Sequence, residues 1–443
     1  MKPFRRIKIP AALLALLLAA GAGAQQRPLT LQEAIDLSVK NSKSLKGSEA
    51  RIAAAQAAVA EARDRRLPDA SVSGSYLRLN KPTVNLKTSQ SSSGGGSGEK
   101  ASPNSAAYVM GNVSLPLYAG GRINYGIQSS QFLEKAARLD AEGDRDEILA
   151  NTIDAYNNLF KARAVLLLVD SNLATARERV RELGNQERQG LLARNDFLKA
   201  QLAQSNTELA LVDAQNNWQL ANINMNLMLG LADSTELLPD SASLRTPVSV
   251  KPMADYVQDG LRSRSEVEAL GFRRQAAAIG VKAALAERLP SVALTAGYVA
   301  LDVPKVLTVV NAVNIGLGVK YDIASLWKNK ARVQAARARE AEAAAGIEQL
   351  GDAIRLQVSQ RYLAYLTARK KIEVNATAVA QAEENNRVIR NKFNNQLATT
   401  TELLDADAAL LQARLNHAFA QNDAVVAYYR LLQVSGNLQT NHQ

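Results

Sequence analysis

The sequence predicts an α+β membrane protein made of two tandem repeats, each with long antiparallel coiled-coil helices and one β-hairpin. Three observations carry that expectation. Segments recur along the chain at fixed shifts. Each copy contains a stretch of period-2 alternation that opens after a Leu-Pro pair. Each alternation is followed by helical patterns far longer than a globular domain uses.

The repeat is read first. Leu67-Pro68 and ASVSGSY (70–76) match Leu289-Pro290 and VALTAGY (292–298), a shift of 222. Further on the shift is 206, with Tyr156, Ala176 and Gly230 falling on Tyr362, Ala382 and Gly436. A longer loop after Tyr76 accounts for the change. The first repeat spans 25–230 and the second 253–436, joined by a Pro-, Ser- and Asp-bearing linker at 231–252 and followed by a tail at 437–443.

Within each repeat the order of elements is the same. A helical pattern at about 31–65, matched at 254–287, is stopped by Pro. A hairpin follows at about 70–119, matched at 291–321, with apolar residues such as Val113, Leu115 and Leu117 on one face. The loop of the first hairpin (88–105) is Ser/Gly-rich and reads as mobile. Very long helices are expected at 122–187 and 328–393. At 1.5 Å per residue, about 65 residues span roughly 100 Å. Returning helices at 195–229 and 399–435 carry a seam expected to be packed core: Leu198, Leu202, Leu209, Val212 and Ile223, then Leu404, Leu411, Leu415 and Val425. Trp218 reads as packing. Trp327, at a strand-to-helix corner, reads either as a membrane-interface anchor or as corner packing.

Composition removes several functions. There is no Cys, and the two His are His417 and His442. Thiolate and His-ligated metal sites are therefore not expected, nor is any cofactor. No nucleophile–base pair or phosphate loop is found, so the chain does not read as an enzyme. The net charge of +11 includes four cations in the first ten residues. Aromatics are few and no basic block lies among them, so nucleic acid is not an expected partner. Residues 1–24 read as a secretory signal: a basic start, a short apolar run, and Ala22-Gly23-Ala24 as the cleavage site. No Cys follows, so no N-terminal lipid anchor is expected.

Four strands cannot close a barrel, and their edges require partners. Three copies supply twelve strands, of a length that suits a tilted outer-membrane span. Helices that long and that polar then belong in water. The pattern points to a tube crossing the periplasm.

The order and duplication of LTLQEAIDLSVKNSKSL (29–45), ARDRRLPDASVSGSY (62–76), LPLYAGGR (115–122), FLKAQ (197–201) and LLDAD (403–407) resemble the TolC-like outer-membrane factors. That resemblance implies a homotrimer in the outer membrane of a Gram-negative bacterium. A twelve-stranded β-barrel in outer-membrane lipid would continue into a periplasmic α-helical barrel. The implied function is an exit duct that passively conducts small molecules from an inner-membrane pump, of RND or ABC type, through a periplasmic adaptor protein. A duct for protein secretion, a self-standing porin and a periplasmic coiled-coil scaffold are the alternatives.

The resemblance also implies sites. The two helix-to-helix turns, QERQGLLARNDFL (186–198) and KFNNQLATTTELL (392–404), become periplasmic tips that dock the adaptor through Gly190, Leu191, Gln396 and Leu397. Asn394 and Asn395 are expected to take the turn conformation that Gly190 takes in the first copy. Glu402 and Asp405 become acidic rings of a periplasmic gate. Asp196 and Phe393 belong to the links that hold it closed. Glu402, Asp405 and Asp196 also read simply as acids favoured at helix N-termini.

Overall fold

A computed structural model describes residues 27–80, 103–240, 250–304 and 306–438. The signal segment 1–24, most of the Ser/Gly loop, linker residues 241–249 and tail residues 439–443 lie outside the described residues.

The order of elements is β1 (Arg27–Leu29), α1 (Leu31–Asn41), α2 (Lys43–Asp64), β2 (Asp69–Arg78), β3 (Ser105–Tyr118), α3 (Arg122–Arg188) and α4 (Arg194–Leu229). The second half continues with β4 (Leu237–Pro239), α5 (Met253–Ser263), α6 (Ser265–Ala286), β5 (Ser291–Val303), β6 (Leu307–Lys320), α7 (Ser325–Asn394) and α8 (Thr400–Val434). The long helices α3 and α7 have 67 and 70 residues.

The first helical pattern of each repeat is broken rather than continuous. Ser42 and Arg264, which match at the shift of 222, both take extended backbone between two helices. Ser42 Oγ accepts from Leu45 N at 3.1 Å, capping α2. Each break receives the C-terminal cap of the returning helix. Gly230 and Gly436 have φ of +68° and +69°, where glycine has no steric penalty. A Cβ on Gly230 would press on Asn41, and one on Gly436 on Ser263. Asn41 Nδ2 donates to Leu229 O at 2.6 Å, closing the first joint.

The contacts define two compact units, each drawing on both repeats. One comprises residues 1–48, 141–265 and 351–443. Its core is built around Tyr156, Ile153, Leu159, Met225, Leu229, Ile354 and Tyr365, all fully buried. Two three-residue strands that the sequence reading left out, β1 and β4, pair in parallel here. Tyr156 Oη donates to Leu29 O at 2.8 Å and accepts from Asp240 N at 2.9 Å. Asn222 and Asn226 on α4 donate to Thr235 O at 2.6 and 2.8 Å, so the linker is stitched to the helix by amides.

The other unit, residues 49–140 and 266–350, holds one antiparallel sheet of order β2-β3-β5-β6. The two hairpins join through β3–β5. Register makes the two faces unlike. The row Ala70, Val113, Ala296, Ile315 is apolar, while the next row, Ser71, Asn112, Gly297, Asn314, is small and polar and points to the other face. Val72 and Ile315 on the apolar face are 81% and 76% exposed, an arrangement that water does not favour. Strands β2 and β6 are the sheet's edges.

The seam expected on α4 is not packed within the single chain. Leu198, Leu202, Leu209, Val212 and Ile223 are exposed in the chain, and Ala200, Ala214, Trp218, Asn222 and Met225 are buried instead. Small Ala side chains let helices approach closely, so the Ala-bearing face is covered and the Leu stripe is left bare. Trp218 packs as expected, under the guanidinium of Arg163 at 5.6 Å. Trp327 is exposed, so it does not pack at its corner within the chain.

Candidate functional site

The two turns expected to form tips have one geometry. In the first, Leu191 N donates to Gln186 O and Gly190 N to Glu187 O, both at 2.9 Å. In the second, Leu397 N donates to Lys392 O at 2.8 Å and Gln396 N to Phe393 O at 2.9 Å. Each is a Schellman cap, with its left-handed residue at Gly190 (φ +75°) or Gln396 (φ +63°). This corrects the expectation that Asn394 or Asn395 takes that conformation; the residue aligned with Gly190 takes it. The motif fixes the position, whatever the side chain. Both caps present their leucine outward, Leu191 65% and Leu397 77% exposed.

A left-handed backbone costs a non-glycine residue about 1 kcal/mol. Gln396→Gly is therefore expected to stabilise the second turn by about that amount. Hydrogen exchange at the amides of residues 396 and 397 reads this as slowing of about fivefold. Faster or unchanged exchange would contradict the strain.

The helices that leave the turns begin differently. Helix α4 has Ala193 at its N-cap and no side-chain cap. Helix α8 starts with a full capping box: Thr399 Oγ1 accepts from Glu402 N at 3.2 Å, and Glu402 Oε2 accepts from Thr399 N at 2.7 Å. The Thr399 backbone and hydroxyl hydrogen bonds hold the Glu402 carboxyl below the ordinary glutamate range. Asp405 is exposed one turn on and makes no hydrogen bond or ion pair among the described residues. Asp196 is half-buried and pairs with Lys199 on its own helix, at 3.3 Å. Lys199 Nζ also donates to Thr401 Oγ1 at 3.1 Å, so it ties α4 to α8 beside Glu402. Phe393 is half-buried and contributes its carbonyl to the second cap. Arg194 and Glu187 brace the first turn at 3.2 Å.

A stronger tie lies further along the same helices, and the sequence reading missed it. Asp407 on α8 accepts from Arg179 of α3 at 3.1 Å and from Asn386 of α7 at 2.7 Å. Arg179 is only 7% exposed and Asn386 is buried. An Arg on the covered face of a long helix was the available signal, because Arg is seldom buried without a partner.

The family model described as outer membrane efflux protein matches residues 34–231 and again 256–437. The chain belongs to that family. It is an outer-membrane exit duct, and the family is one of efflux channels rather than enzymes. Outer membrane efflux protein BepC of Brucella suis is 25% identical over 325 residues, which cover 73% of this chain and 70% of BepC. Protein CyaE of Bordetella pertussis is 24% identical over 415 residues, 93% of this chain and 84% of CyaE. Among solved structures, the outer membrane protein VceC of Vibrio cholerae superposes with a TM-score of 0.73 at 19% identity, covering 92% of this chain and 96% of VceC. The open state of the MtrE outer membrane channel of Neisseria gonorrhoeae gives 0.71 at 17% identity, covering 92% and 89%. These likenesses establish the channel fold for the duct.

Proposed function

We propose that three copies of this chain close into a twelve-stranded barrel in the outer membrane, continued by a helical barrel in the periplasm. The duct passively conducts small molecules, drugs and toxic compounds among them, received from an inner-membrane pump through a periplasmic adaptor. Closure is supported by the two edge strands β2 and β6 and by the bare Leu stripe of α4, which neighbouring copies would cover. An apolar sheet face supports contact with lipid.

The observation that carries adaptor docking is the pair of identical caps with Leu191 and Leu397 outermost. Exposed leucines held on rigid turns are apolar contacts awaiting a partner. Gate closure is assigned to the first turns of α4 and α8, where Lys199 joins Asp196 to Thr401, and Glu402 and Asp405 give acidic rings in a trimer. A photo-crosslinking amino acid at position 191 or 397, in cells that carry the cognate pump, is expected to capture the adaptor. Capture only from control positions on the exposed sides of α3 and α7 would sink the docking assignment.

A further inference from the structure

The sheet carries charge at Asp69, Arg78, Asp302 and Lys320, and at no other strand position. Each of the four lies at a strand end or one residue from it. On the face that carries Ser71, the charged positions are Asp69 and Lys320, and the row Ser73, Met110, Val299 and Ala312 is neutral. On that face, Ser71, Asn112, Gly297 and Asn314 stand side by side across all four strands. The amides of Asn112 and Asn314 lean toward each other over Gly297. A Cβ on Gly297 would collide with the Asn314 amide oxygen and stand 3.5 Å from that of Asn112. A glycine is therefore what lets two amides share this row.

We propose that this row is an uncharged amide belt lining the outer section of the duct, where cargo is met by hydrogen-bonding groups and not by a charge filter. The proposal rests on the barrel reading, which turns the apolar rows to lipid and the polar rows to the lumen. Asn and Ser offer both donors and acceptors, so the belt accepts cationic, anionic and neutral molecules alike. Among the strand residues of this face, charge is then confined to Asp69 and Lys320, near its ends. In a trimer the belt presents six amides, two per copy, stepped along the tilted strands.

Because the natural chain has no Cys, a single introduced thiol is an unambiguous probe. Asn314→Cys and, separately, Asn112→Cys are made in the full chain and placed in lipid nanodiscs. Each is treated with a cationic and an anionic methanethiosulfonate of similar size. The thiolate displaces methanesulfinate and forms a mixed disulfide, read as an added mass. Both reagents are expected to modify both positions, at rates agreeing within about threefold after correction for their reactivity with a free thiol. A lumen of one charge sign would separate the rates by about tenfold or more. Ile315→Cys, one residue away on the apolar face, is expected to stay unmodified. A tenfold preference for one reagent, or an inert thiol at both 112 and 314, overturns the belt. Channel formation is measured in parallel in planar bilayers. A chain that forms no channel overturns the barrel reading itself, whereas a conducting channel with the wrong thiol pattern overturns only the belt.

Discussion

Asp407→Ala is expected to loosen the helices behind the tips, and its effect is the largest we foresee for stability. The side chain bonds Arg179 and Asn386, each buried on a different helix. Removing it leaves the buried guanidinium with only Glu182, 4.0 Å away on its own helix, and loss of the nearer partner of a buried charge typically costs about 3 kcal/mol. Locally this corresponds to roughly a hundredfold faster hydrogen exchange in the segments of α3, α7 and α8 that meet there. Arg179→Met with Asp407→Leu removes the charges as a pair and is expected to restore most of the protection. Equal damage in the single and double variants would show that packing volume, and not the ion pair, holds the helices. If the gate opens by separating these helices, Asp407→Ala also raises resting conductance.

Neutralising the acidic tip residues has the largest expected effect on conduction. The structure shows how this must be done. Glu402 caps α8, so Glu402→Ala would remove a cap worth about 1 kcal/mol together with the charge. Glutamine can occupy the same place in a capping box. The informative variant is therefore Glu402→Gln with Asp405→Asn, which keeps shape and cap and deletes two negative charges per copy. In planar bilayers the cation-over-anion permeability ratio is expected to fall severalfold, toward one. An unchanged ratio would mean that the two carboxylates do not line the conducting path.

Much of this molecule is legible in the chain alone, for a physical reason. Hairpin strands announce themselves by period-2 alternation, and the row from Ala70 to Ile315 keeps that alternation in register across four strands. The turns were legible because a repeat shows the same turn twice. What stayed hidden depended on contacts distant in sequence. A three-residue strand such as β1 has no periodicity to read, and only its pairing with β4 defines it. Propensity favours Asn over Gln396 in a left-handed turn, yet the hydrogen bonds of the cap select a position and not a residue. The Leu stripe of α4 followed the expected spacing, but spacing does not say which of two apolar faces the chain itself covers. The Arg179–Asp407–Asn386 cluster joins three helices, so no local window contains it.

The pairing of β1 with β4 also sets an order of events. Arg27 finds its partner at Leu237, 210 positions further along the chain. The same compact unit needs residues 351–438 as well. As the chain emerges from an inner-membrane translocation pore, its leading strand has nothing to bind until the linker appears. The unit it belongs to remains unfinished until nearly the last helix has emerged. Long-range closure of this kind is slow and leaves apolar surface uncovered meanwhile. Biogenesis is thus expected to lean on periplasmic holding chaperones, more heavily than for a barrel built of consecutive hairpins alone.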